Sequence, residues 1–231
     1  MTPRRLLVFA DTDAEASWTA EHGFFDAVPL LRRDGLVREF WSRAEHSRIR
    51  INRQHRIEHD EPIHRLLPAL GAQVVQFVYY HSEMVGLIDA SDLNRPIARL
   101  VWLGPMLELE RAILDAVRHL KIDDDRQYKA LGRAGADTRK KQKKAQQHDL
   151  GMPLLEYAAF PSLLHASVRL EIDQLSDSEI AELNCVRKRA AHGAGGAIIS
   201  DRRDCERVNR ALEIAGGAER TITRRFALKS R

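Results

Sequence analysis

Apolar positions change their period near Pro96. Before it, short β-branched and aromatic runs at residues 6–9, 27–31, 36–37, 74–80 and 84–88 read as strands, and residues 13–22 and 62–70 read as short helices. Arg33-Asp34-Gly35 supplies a turn between two of the strands, and residues 89–94 open a further helical turn. The order helix, strand, turn, strand occurs twice, as units of about forty to fifty residues. This predicts an α+β pair of related halves. After Pro96 the pattern is helical throughout. Helices are expected over residues 97–120, over 123–147 from an acidic start at Asp123-Asp124-Asp125, over 154–170 with a bend at Pro161, and over 201–214. Between the last two lies a helix capped by Ser176 or Asp177, with Glu179 placed for a capping box, that ends at Gly193. The chain therefore divides into an α+β region over 1–95, an all-α bundle over 96–220 and a basic tail over 221–231.

Two charged residues interrupt the apolar arcs of this bundle. At about 100° per residue, Ile180, Leu183, Val186, Ala190 and Ala191 share one arc, and Arg187 falls inside it. On the first bundle helix, Leu103, Leu107, Leu114 and Val117 form an arc that contains Glu110. A guanidinium on a packing face must be paired or set at an interface, because an unpaired buried charge is very costly. Glu110 and Arg187 are thus expected to pair, within one chain or across a dimer. Such a pair either fixes helix register alone, or holds the guanidinium beside a reaction. His192 follows Arg187 by five residues, and Asn184, Lys188 and His192 form an i, i+4, i+8 line beside it. An always-charged group near one that titrates close to neutrality suits acid–base chemistry. Spacing alone says little, since Arg50 and His55 show the same gap. The apolar-periodic helix, the small Ala190 and Ala191 and the glycine stop set residues 187–192 apart.

Composition narrows the classes. The 231 residues are 44% hydrophobic and 30% charged, enough for one large or two small cores. A net charge of only +4 does not by itself indicate nucleic acid. Its distribution says more: Arg139-Lys140-Lys141-Gln142-Lys143-Lys144 carries five cations in six residues, and the end of the chain is basic. That run reads either as a solvated helix face or as a backbone-tracking RNA patch. Cys185 and Cys205 lack metal-ligand spacing and read as reduced thiols. No apolar run has membrane-spanning length and no signal-peptide pattern opens the chain, so the expected compartment is the cytoplasm, with no membrane partner.

The helical half resembles the HEPN superfamily of helical domains found in prokaryotic ribonucleases, toxins and defence proteins. The resemblance covers about residues 97–217. It rests on the long first helix, on Leu154-Leu-Glu-Tyr-Ala-Ala-Phe160, and above all on Arg187-Lys-Arg-Ala-Ala-His192. This last run is similar to the superfamily's Arg, four to six residues, His motif. The resemblance implies a homodimer that brings two motifs together and metal-independent RNA cleavage, with no cofactor required and with Arg187 and His192 at the site. Lys188 stands where the superfamily often has Asn, Asp or His. Its charge tends to lower the pKa of His192.

Residues 1–95 resemble a pair of CBS modules, which commonly bind adenosine nucleotides. Val85-Gly-Leu-Ile-Asp89-Ala-Ser-Asp92-Leu is similar to the module's Gly-x-Ile/Val-Thr/Ser-x-x-Asp run. The resemblance puts Asp92 at the ribose-binding position and Asp89 near the phosphates, where an anion repels phosphate. Residues 36–41 lack that run, so the pair is degenerate.

Two functions remain open at this stage. In one, the chain is a ribonuclease controlled by a nucleotide effector or a protein antagonist, acting in defence or stress control. There the RNA 2′-hydroxyl attacks the adjacent phosphate, His192 moves the proton, Arg187 and Lys188 hold the phosphate, and Asn184 orients its neighbours. In the other, it is a non-catalytic dimeric regulator whose first half senses a ligand and whose helical half binds RNA or a protein.

Overall fold

A computed structural model describes residues 9–23, 25–61, 63–72, 75–81, 83–89, 92–148, 152–192, 199–200 and 202–227. The strand expected over residues 6–9 lies almost wholly outside these. The fold is mixed α+β, and the chain forms two compact units. One is Met1–Arg95 with Ile199–Glu206, and the other is Pro96–Ile198 with Arg207–Arg231.

The first unit is built from helices α1 (Asp13–His22) and α2 (Ile63–Ala72) and strands β1 (Ala27–Leu31), β2 (Val37–Ser42), β3 (Ser47–Arg50), β4 (Arg56–Glu58), β5 (Val75–Tyr80) and β6 (Glu83–Asp89). The strands form two sheets of three, ordered β1-β2-β3 and β4-β5-β6. Each half follows one plan. Ala10 bridges Leu30 in parallel before α1, and β1 and β2 then make a hairpin. Likewise β4 pairs parallel with β5 across α2, and β5 and β6 make a hairpin. Phe40 and Ile51 from one half and Val75, Phe77 and Tyr79 from the other share a buried cluster, so the sheets are glued by alternating inward residues. Ala16 and Ala20 of α1 pack on Val28 and Leu30 behind the first sheet. Strands β3 and β4 were not legible in the pattern. Each offers one apolar residue, Ile49 or Ile57, among charged ones.

The second unit holds α3 (Pro96–His119), α4 (Asp124–Leu131), α5 (Gly135–Gln146), α6 (Phe160–Arg169) and α7 (Asp177–His192). Most of α8 (Arg202–Arg225) also belongs to it. Three expectations need correction. The helix expected over residues 123–147 is a hairpin of α4 and α5, broken at Gly132, whose φ of +56° an L side chain adopts only under strain. Arg139 of α5 then reaches back to Asp125 at 2.9 Å and lies over the Tyr128 ring at 4.2 Å, while Gln142 donates to Asp124 at 2.8 Å. Residues 154–170 do not form one bent helix. A 3-10 turn spans Leu154–Tyr157, Ala158 and Ala159 are extended, and α6 starts at Phe160 with Pro161 in its first turn. The pyrrolidine ring is tolerated there and not deeper in a helix. Finally, α8 runs to Arg225 instead of stopping near residue 214, so much of the expected tail is helix. Arg225 donates to the Glu171 carbonyl at 2.6 Å.

The core of α3 also differs from its expected arc, of which Val117 is buried but Leu103 and Leu114 are only partly covered. Ala98, Trp102, Met106, Leu109, Ile113 and Ala116 are buried, whereas Leu107 is 52% exposed. The buried arc is rotated by about 100° from the one centred on Leu103 and Leu107. Both arcs are apolar, and the larger Trp102 and Met106 occupy the one that is packed.

The break at Gly132 leads to a paired expectation. A Cβ at Gly132 would be strained by its φ and would stand 3.0 Å from Arg169 Nη1. Gly217, inside α8, has nothing within 4 Å of its Cβ direction. Gly132→Ala should therefore destabilise by about 1–3 kcal/mol, and Gly217→Ala should stabilise by roughly 0.5–1 kcal/mol. Urea denaturation reads both, and a neutral Gly132→Ala would mean that the helix break lies elsewhere.

Candidate functional site

The helix that carries the Arg-x4-His run is fixed at its start by local chemistry. Ser176 and Glu179 form a full capping box: the Glu179 N–H donates to Ser176 Oγ at 3.3 Å and the Ser176 N–H donates to Glu179 Oε2 at 2.8 Å. The Ser176 donors hold the Glu179 carboxyl below its ordinary range. Just before this, Asp173 is buried in the α6–α7 connection, where it accepts from the Leu175 N–H at 3.0 Å and from Ser167 Oγ at 2.7 Å. Burial pushes its carboxyl up, against those two hydrogen bonds. The α7 arc is then as the periodicity requires: Ile180, Leu183, Val186 and Ala190 are buried, while Ala191 is exposed.

Arg187 sits on the edge of that arc, half-buried. Its Nη2 donates to Glu110 Oε2 of α3 at 3.3 Å, so the charged pair forms within one chain. The guanidinium carbon lies 4.6 Å from the centroid of the Phe160 ring at the start of α6, within the range of a cation–π contact. Its Nε is buried with no hydrogen-bond partner among the described residues. A partly exposed cation held on one edge by a carboxylate and beneath by a ring leaves donors for an incoming anion. Phe160 was missed as a site residue. Its segment stood out in the sequence only as apolar, and nothing local says that the ring would lie under an arginine 27 positions later.

The remaining residues of the motif divide. Asn184 is half-buried and Lys188 is exposed on the same helix. His192 is the last residue of α7, and its side chain lies outside the described ones, as does Gly193. By helical arithmetic, Arg187 and His192 are about 140° apart and about 7.5 Å along the axis, so one straight helix does not converge them.

In the first unit, Asp89 and Asp92 hydrogen-bond to each other. The Asp92 N–H donates to Asp89 Oδ1 at 3.2 Å, and the Asp89 N–H donates to Asp92 Oδ2 at 3.3 Å. Arg95 Nε donates to Asp92 Oδ1 at 3.0 Å. These hydrogen bonds use both carboxylates, and Arg95 brings a cation that the sequence reading did not include. Lys140, Lys141, Lys143 and Lys144 are all exposed on α5, with Gln142 turned inward among them. The hairpin at Gly132 is what gives this basic face a fixed backing. Among the described residues no group of three or more His, Cys, Asp or Glu is placed to hold a metal ion, and no helix is long and apolar enough to cross a membrane.

No protein-family model, curated protein or solved structure matches the chain.

The seat of Arg187 can be measured through its energetics. Glu110→Ala leaves a half-buried guanidinium without its counter-charge. The single changes Glu110→Ala and Arg187→Ala should therefore each cost more than their combination implies, with a coupling of about 0.5–3 kcal/mol in a double-mutant cycle. Additive single changes in urea denaturation would show that the contact carries no energy.

Proposed function

We propose that the chain is a metal-independent endoribonuclease of HEPN type, governed through a degenerate CBS-like module in its first unit. The observation that carries the reading is the seat of Arg187: a half-buried cation pinned by Glu110 and Phe160, on the helix that ends at His192. An enzyme that cleaves RNA without metal needs cationic stabilisation of a charge-rich phosphorane, and a group that titrates near neutrality to move the proton. Arg187 supplies the first and His192 the second. Asn184 orients its neighbours, and exposed Lys188 adds a phosphate contact. Attack by the 2′-hydroxyl leaves a 2′,3′-cyclic phosphate and a 5′-hydroxyl. Because Arg187 and His192 diverge around one helix, the working site is assembled from two copies. The exposed lysines of α5 track the RNA backbone. The paired strand–helix–hairpin plan of the first unit supports the CBS-like reading. An adenosine nucleotide held near Asp89 and Asp92, or a protein antagonist, is the regulator under this reading.

Purified protein incubated with mixed RNA in EDTA should produce 2′,3′-cyclic ends, and His192→Ala and Arg187→Ala should each slow cleavage by about 10²–10⁴-fold. Equal cleavage by all three would trace the activity to a contaminant. No cleavage by any of them would favour the non-catalytic regulator.

RNA affinity should fall linearly on a log–log plot against salt, by roughly 0.7 per phosphate contacted on a single strand. Replacing Lys140, Lys141, Lys143 and Lys144 with Gln should flatten that slope. An unchanged slope removes α5 from the RNA path.

A further inference from the structure

The second unit leaves much of one apolar arc of α3 uncovered, although Val117 at its end is buried. Leu100 is 63% and Leu107 is 52% exposed, Val101 beside them is 38% exposed, and Leu103 and Leu114 are only partly covered. Leu100, Leu103, Leu107 and Leu114 lie within an arc of about 60°. The spacing is that of a coiled-coil seam, with leucine at 100, 107 and 114 in one heptad position and Leu103 in the other. Glu110 takes the next place in the seam, and its charge is met by Arg187 of the same chain. A patch of this kind marks an interaction surface.

We infer that this face of α3 is where two copies of the chain meet, antiparallel, on a two-fold axis passing near Leu107. A two-fold contact must be self-complementary, and this seam is. With the axis at Leu107, the two Leu107 side chains face each other and Leu100 of each copy meets Leu114 of the other. Arg111 then falls at the level of Leu103 of the second copy, one residue from Gly104, where nothing stands within 4 Å of the missing Cβ. There its exposed guanidinium reaches toward the exposed Glu108 of that copy. Symmetry makes this opposite-charge pair twice, at the rim, where it selects orientation. The seam is about 21 Å long. It provides the apolar core of an interface, with charged residues such as Arg111 and Glu108 at its rim. The two Glu110 residues would then lie on either side of the axis, about 9 Å apart along the helix direction. The inference rests on the reading that two copies assemble, and does not depend on catalysis.

Light scattering after size exclusion of the full chain tests it without RNA. The wild type should be a dimer, and Leu107→Glu a monomer with an unchanged far-UV circular dichroism spectrum. In a Cys185→Ser background, a mixture of Leu100→Cys and Leu114→Cys chains should form a disulfide-linked dimer on mild oxidation that neither forms alone. The inference is overturned by a wild type that stays monomeric at its highest soluble concentration, by a Leu107→Glu protein that is still dimeric, or by Leu100→Cys chains that link to themselves as readily as to Leu114→Cys. A dimer that cleaves no RNA would remove the nuclease and leave the interface. A monomer that cleaves would remove both the interface and the two-copy site, and leave only the activity.

Discussion

A guanidinium held where three helices meet ties the helical unit together. Arg187 belongs to α7, its carboxylate partner to α3 and its aromatic floor to α6. Removing a charge from water is costly, and the cost is offset only when a counter-charge and good geometry are waiting. The three helices must therefore keep the positions that present Glu110 and Phe160 together. A leucine at 187 would pack with fewer conditions. The presence of a cation that is pinned yet still partly exposed is what turns a packing residue into a candidate for binding an anion.

Several local devices serve that arrangement. The Ser176–Glu179 box sets where α7 starts, and buried Asp173 shapes the connection that leads into it. Pro161 ensures that α6 starts where it does, which brings Phe160 under the guanidinium. These are short-range effects of capping and steric exclusion. Their consequence, the meeting of α3, α6 and α7, is long-range.

The first unit keeps one plan in both halves although little in the pattern of its strands dictates it. Its two halves repeat a parallel pairing, a helix and a hairpin, although β3 and β4 have almost no apolar periodicity. Their pairing partners dictate them: Ile49 faces Phe40 and Ile57 faces Val78, so one apolar residue in each strand is enough once a neighbour is in place. Asp89 and Asp92 likewise hold each other by local hydrogen bonds, with Arg95 paired to Asp92.

Periodicity and capping chemistry by themselves determined the α+β and all-α regions, the run of α1, the start of α7, and the two charged intruders Glu110 and Arg187. Those features depend on residues within a few positions of each other, which a linear pattern records. Their pairing was an expectation that the structure met. It could not have told which of the two apolar arcs of α3 would be packed, because both satisfy helical spacing and only the neighbouring helices choose between them. Nor could it place Phe160 beneath Arg187 or fold α4 back against α5, since the first needs a contact between distant segments and the second turns on one backbone angle at Gly132. Tertiary packing made those choices, and the arc it left uncovered on α3 is itself one of their results.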